Sequence, residues 1–208
     1  MEILFVDQNI AVCIKPVGLD SEHDVPQALC EALGGSFLPV HRLDKNVGGV
    51  MVYARTKAAA AALSRAIQDN TMTKEYLALV HGLPPETEDW EDLLFKDSSK
   101  NKVFVVKKER KGVKKARLEF VRLTQGDPAL VRIRLHTGRS HQIRVQFASR
   151  GYPLVGDRKY GSRDDCGAPM LFSCKLTFPL FGEEKVFEAL PDWANVGKEE
   201  NSYDSARL

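Results

Sequence analysis

Runs of apolar and β-favouring residues, broken at short intervals by Gly, Pro and Asx turns, divide the chain into many strand-length segments and few helical ones. Ile3 to Val6 and Ile10 to Lys15 predict two strands around Asp7-Gln8-Asn9, the second ended by Pro16 and Gly18. Val25 to Leu33 predicts a short helix closed by Gly34-Gly35, after which Phe37 to Val40 leads into His41-Arg42-Leu43-Asp44. Val50 to Ala54 is apolar and strand-like. The alanine-rich run Lys57 to Gln68 has the strongest helix propensity in the chain, with Thr56 as its N-cap. Lys74 to His81 predicts a strand bounded by Gly82 and Pro84-Pro85, and the acidic segment beyond reads as irregular. Lys102 to Lys107 is β-favouring, and Lys114 to Leu123 with Leu130 to Leu135 carries a hairpin signature across Gln125-Gly126-Asp127-Pro128. Ile143 and Phe147 give Ser140 to Ser149 helical spacing, ended by Gly151, and Leu171 to Phe178 and Lys185 to Leu190 supply late strands.

Strands outnumber helices, hairpins dominate and no βαβ rhythm appears. The expectation is an α+β fold: a mixed, mainly antiparallel sheet flanked by a few helices. A length of 208 residues suits one domain, 1–208, with the acidic stretch after Pro84 as the place where two lobes would divide. Met1 to Val6 lacks a basic n-region and reads as a strand. The longest apolar run, Ala58 to Leu63, is too short for a bilayer and is flanked by Lys57 and Arg65. A cytoplasmic protein without a membrane partner is therefore expected.

Cys13, Cys30, Cys166 and Cys174 form no C-x-x-C pair, and the five histidines show no ligand spacing on one helix, so neither a disulfide framework nor a metal is indicated. The net charge of +2 averages over segments of opposite sign. Pro85 to Asp97 is acidic, as is the tail after Glu183, whereas Lys100 to Arg117 is basic and includes Lys107, Lys108, Lys114 and Lys115. That arm suits a polyanion and equally suits a solvated hairpin tip.

Two polar clusters stand out. His41-Arg42-Leu43-Asp44-Lys45 interrupts apolar segments, where polar groups need partners or a purpose; a turn capped by Asp44 is the plain alternative. Thr137-Gly138-Arg139-Ser140-His141-Gln142-Ile143-Arg144 lies where a strand meets a helix, a natural phosphate site. The plain alternative there is an N-cap by Thr137 or Ser140 with surface arginines.

Together these elements resemble the RluA-type RNA pseudouridine synthases. His41 to Asp44 followed by Gly49 is similar to that family's H-R-L-D signature, Lys74-Glu75-Tyr76 to its K-x-Y element, and Gly138 to Arg144 to its G-R-x-H-Q-[IL]-R element. Gly151 to Asp157 with Tyr160-Gly161 follows, and the likeness runs from about Leu4 to Asp192. The resemblance implies isomerisation of a flipped-out uridine in transfer or ribosomal RNA, without cofactor or metal, by a monomer. It implies that Asp44 is the essential carboxylate, that Tyr76 packs on the base and takes its ring proton, and that Arg144 pairs with Asp44. Arg42 would fill the gap left by the base, while His41, Arg139, His141, Gln142 and the arm lysines would bind or orient the RNA. Arg158 and Lys159 suit phosphates or solvent alike. Whether Asp44 attacks the sugar or removes a proton from it stays open.

The chain departs from the pattern at Val47-Gly48-Gly49, where a Thr-Ser pair commonly precedes the glycine, and at Phe172-Ser173-Cys174, where Leu-His-Ala is usual. No extra RNA-binding domain is expected ahead of the first strand. Two other classes fit parts of the sequence: a non-catalytic RNA-binding protein that keeps the fold, and a glycoside hydrolase. The latter needs a second acid, and none is read beside Asp44 in the matching motifs.

Overall fold

A computed structural model describes residues 1–195; the end of the acid-leaning tail lies outside the described residues. The chain runs β1 (Glu2–Val6), β2 (Ile10–Lys15), α1 (Asp24–Leu33), β3 (Leu38–Pro39), β4 (Gly48–Ala54), α2 (Lys57–Gln68), β5 (Thr73–Val80) and β6 (Thr87–Asp97). It continues with β7 (Lys102–Val106), β8 (Val113–Arg122), β9 (Ala129–Leu135), α3 (Gln142–Ser149), a short 3₁₀ turn (Arg158–Tyr160), β10 (Leu171–Leu180) and β11 (Glu183–Glu188).

The strands form one sheet in the order β1-β2-β4-β10-β5-β9-β8-β6-β7, with β3 added to β4 and β11 to β10. All pairings are antiparallel except β4 with β10, which run parallel at Gly48 and Gly49 against Phe172 and Ser173. The expected mixed, mainly antiparallel sheet is what the chain forms. The segment read as irregular after Pro85 is instead the eleven-residue strand β6, paired with β7 on one side and β8 on the other. Its acids face the basic residues of neighbouring elements: Arg117 of β8 chelates Asp89, and Arg150, just past α3, reaches Asp92 at 2.8 Å. Cross-strand charge pairing of this kind stabilises a strand whose own composition disfavours it.

Both faces of the central strands are covered, which explains their unbroken apolar runs. Along β4, Val50, Val52 and Ala54 join the face packed by Leu63 of α2, while Met51 and Tyr53 join the face packed by Val25 and Leu29 of α1 and Phe147 of α3. Trp90, Phe120 and Phe147 meet there with ring centroids 4.6–5.0 Å apart, so β6, β8 and α3 share one aromatic core. Thr56 caps α2 as expected, its Oγ1 accepting from the Ala59 amide at 3.1 Å. Gly49 is required by a close approach: at its φ of 128° an added Cβ would lie 2.4 Å from the Ser173 backbone. Among the described residues no helix is long and apolar enough to cross a membrane.

Candidate active site

The loop between β3 and β4 carries the first polar cluster, and it is pinned from several sides. Leu43 and Val47 are buried anchors. The Leu43 carbonyl accepts from Ser21 Oγ at 3.0 Å, and the Lys45 carbonyl accepts from the Gly18 amide at 2.8 Å and from Lys15 Nζ at 3.2 Å. Lys15 is wholly buried, and that burial lowers its ammonium to about 8 against the partial opposition of Asp20, Asp44 and Asp24. Asp44 is thus held on a fixed turn with its side chain partly open to solvent.

The second cluster comes from the opposite side. His141 occupies the N-cap position before α3, sits in the left-handed region at φ 51° and makes no side-chain cap. Neither Thr137 nor Ser140 is the N-cap. Instead Gln142 organises the turn: its Oε1 accepts from Thr137 Oγ1 at 2.8 Å and from the Arg139 amide at 3.0 Å, and its Nε2 donates to the Arg117 carbonyl. A non-glycine residue held at positive φ beside reactive groups is a form of strain that surrounding contacts must enforce.

The two clusters meet at Arg144. Its Nη1 donates to Asp44 Oδ2 at 3.1 Å, while Nε and Nη2 grip both oxygens of Asp157 at 2.6 and 2.8 Å. Burial opposes the guanidinium charge, but the hydrogen bonds and charge of Asp157, joined by Asp44, prevail and hold its pKa above the ordinary arginine value. Asp157 is a second acid close to Asp44, contrary to the sequence reading. It lies on the turn before Tyr160, is 1 % exposed and has both oxygens occupied, so it positions Arg144 and is not free for acid–base work. Tyr160 lies under the same guanidinium, 5.1 Å from its ring centroid. Its hydroxyl accepts from the Val103 amide at 2.9 Å and bonds His141 Nδ1 at 2.8 Å. The other ring nitrogen of His141, Nε2, lies 3.8 Å from Asp44 Oδ2. Burial keeps this imidazole below its ordinary pKa despite Asp44.

Asp44, His141 and Arg144 line a cavity of about 670 Å³ together with Tyr76, His41, Arg42, Arg139 and Gln142. Tyr76 is 6 % exposed. Burial and then the Asp44 carboxylate push its phenol well above the usual range, a hydrogen bond with Ser173 acting the other way, so the resting group is a neutral phenol. Ser173 also donates to the Val50 carbonyl at 3.1 Å, so the serine found in place of the family's histidine is a buried tie between β10 and β4. Arg42 is exposed at the cavity edge and paired with Glu22 at 2.8 Å. Arg139 donates to the Lys115 carbonyl at 2.9 Å. Lys107, Lys108, Lys114 and Lys115 are exposed and do not line this cavity; Lys115 borders a smaller hollow with Arg110 and Leu93. Arg158 pairs with Asp165, and Lys159 donates to the Asn101 carbonyl. The sequence reading assigned no role to Asp157 or Tyr160, although both stood in a quoted motif.

A family model described as RNA pseudouridylate synthase matches residues 9–149. An uncharacterized RNA pseudouridine synthase of Aquifex aeolicus is 33% identical over 216 residues, covering 90% of this chain and 68% of the relative. The dual-specificity RNA pseudouridine synthase RluA of Escherichia coli K12 is 34% identical over 213 residues, covering 92% and 93%. Among solved structures, human RNA pseudouridylate synthase domain containing 1 superposes with a TM-score of 0.82 at 25% identity, over 94% of this chain and 85% of that one. The chain belongs to the RNA pseudouridine synthase family, as a member of its RluA type, and is accordingly an isomerase whose substrate class is RNA.

Proposed function

We propose that this chain converts specific uridines in transfer or ribosomal RNA to pseudouridine in the cavity between the 41–47 loop and α3, with Asp44 as the catalytic carboxylate. The observation that carries this reading is the Asp44–Arg144 contact of 3.1 Å at the cavity wall, beside the aromatic ring of Tyr76. A uridine stacked in RNA is out of reach, so it is extruded into the pocket at a cost of a few kcal/mol. Tyr76 packs on the base as a neutral phenol, which suits an aromatic platform better than a ready base. Arg144 keeps a positive charge against Asp44 whether the carboxylate attacks the sugar or removes its proton. Arg42, at the cavity edge, enters the gap in the RNA by leaving Glu22. Arg139, His141 and Gln142 shape the wall, and the arm lysines hold phosphates outside it. The chain works as one catalytic domain, a cytoplasmic monomer.

The test uses RNA from cells lacking this gene. Purified protein is incubated with transfer and ribosomal RNA fractions, and pseudouridine is measured by nucleoside mass spectrometry. Wild type is expected to raise pseudouridine in one fraction and Asp44→Asn to leave it at background. Equal product from both proteins would end the assignment of Asp44, and no product from wild type on any RNA would leave an RNA-binding protein that keeps the fold.

A further inference from the structure

We propose that Lys74 forms a phosphate subsite within this cavity, which takes a backbone phosphate flanking the extruded uridine. The proposal rests on the RNA-modifying reading above and adds a contact that reading does not contain.

Lys74 precedes Tyr76 by two positions on β5, so both side chains leave the same face of the sheet, about 7 Å apart along the strand. A nucleotide whose base lies on Tyr76 spans such a distance with its sugar and phosphate. Lys74 is half-buried and lines the cavity. The other cations of the wall are engaged: Arg42 with Glu22, Arg117 with Asp89, Arg134 with Glu119, Arg144 with two acids, and Arg139 with a backbone carbonyl. Lys74 has no carboxylate or carbonyl partner among the described residues. Its Nζ lies beside the 136–141 loop, where an added Cβ on Gly138 would stand 3.6 Å from it.

The neighbouring His41 offers Lys74 no counter-charge. Its Nε2 accepts from the Val52 amide at 3.1 Å, and burial, with the charge of Lys74 adding to it, lowers the imidazole to about 3. The neutral ring therefore carries its proton on Nδ1. Nδ1 is buried and meets no protein partner. The neutral ring brings no negative charge to Lys74, and its buried Nδ1 is out of reach of a group in the cavity, so the ammonium alone faces the open space without an acceptor. A half-buried ammonium left this way is costly, and the group that satisfies it is an anionic oxygen. A uracil carbonyl leaves the lysine charge unmatched, whereas a phosphate answers it.

Uridine, uridine 5′-monophosphate, uridine 3′-monophosphate and inorganic phosphate would be titrated into the full-length protein at low salt, with binding read by NMR chemical-shift changes. Wild type is expected to bind one of the monophosphates about tenfold more tightly than uridine. In Lys74→Gln that preference is lost while uridine binding persists, and Lys74→Arg restores it. The proposal is overturned if Lys74→Gln keeps the preference, if it weakens uridine and the monophosphates equally, or if wild type shows no preference. Turnover on RNA, assayed in parallel, separates the two claims: product formation without a Lys74-dependent preference removes the subsite alone, whereas a preference without product from any RNA removes the catalytic reading alone.

Discussion

At the residue scale the site turns on Arg144, a buried guanidinium between two carboxylates. Breaking a buried pair by removing one partner leaves an uncompensated charge, typically at a cost of about 3–5 kcal/mol. Asp157→Ala is expected to lower stability by that order in urea unfolding. The milder Asp157→Asn is expected to lower kcat on a uridine-bearing RNA by about a hundredfold, because a guanidinium displaced by about 1 Å no longer meets Asp44, with a smaller change in KM. A result in which KM alone rises would assign Asp157 to binding. Asp44 and Arg144 stand out in sequence because their motifs are dense in polar residues between apolar runs, whereas Tyr76 reads as a core aromatic of a strand until the family resemblance gives it a role. Asp157 went without a role for a physical reason: its partner lies across α3 and a turn, and no helical or strand period joins positions 144 and 157. Lys74 was legible only as part of a motif, since a free cation is recognised by what fails to approach it.

Among elements, the helices, the N-terminal hairpin and the β8–β9 hairpin were readable because their signals are local: a threonine cap, an alanine-rich run, a turn. β6 was not. Its acids outweigh its apolar residues, and partners remote in sequence, Arg117 and Arg150 among them, make those acids acceptable in a sheet. The same dependence on distant strands fixes Gly49, and Gly49→Ala is expected to destabilise the fold by more than about 4 kcal/mol, because the obstructing Ser173 atoms are backbone and cannot swing aside. The 41–47 loop carries a pH dependence of its own. Unfolded, the His41 ring takes a proton near its ordinary 6.5; folded, it does so only at about 3. Between those values the unfolded state binds the extra proton, so this contribution to stability is complete above 6.5 and is lost as pH falls toward 3. The loss runs at up to about 1.4 kcal/mol per pH unit. Urea titrations from pH 4 to 7 should show a shallower slope in His41→Gln than in wild type; equal slopes would mean that the ring is protonated in the fold.

On the scale of the whole molecule, the proposed function has the charge map separate gripping from chemistry. Lys107, Lys108, Lys114 and Lys115 stand on the β7–β8 arm, away from the cavity, while the wall cations are mostly committed to acids of the chain itself. Replacing the four arm lysines by glutamine is expected to weaken RNA binding and to reduce the slope of log K against log salt by about 0.7 to 0.9 for each phosphate that is no longer neutralised. An unchanged slope would move the RNA to another face. The arm is nevertheless tied to the reacting groups through one oxygen. The Tyr160 hydroxyl is shared between the Val103 amide on the outermost strand and the His141 ring, 3.8 Å from Asp44. On the proposed reading, strand edge and acid are therefore joined through a single side chain: an RNA that prised β7 from its seat would disturb the ring beside Asp44, and failure of grip would bring failure of chemistry with it.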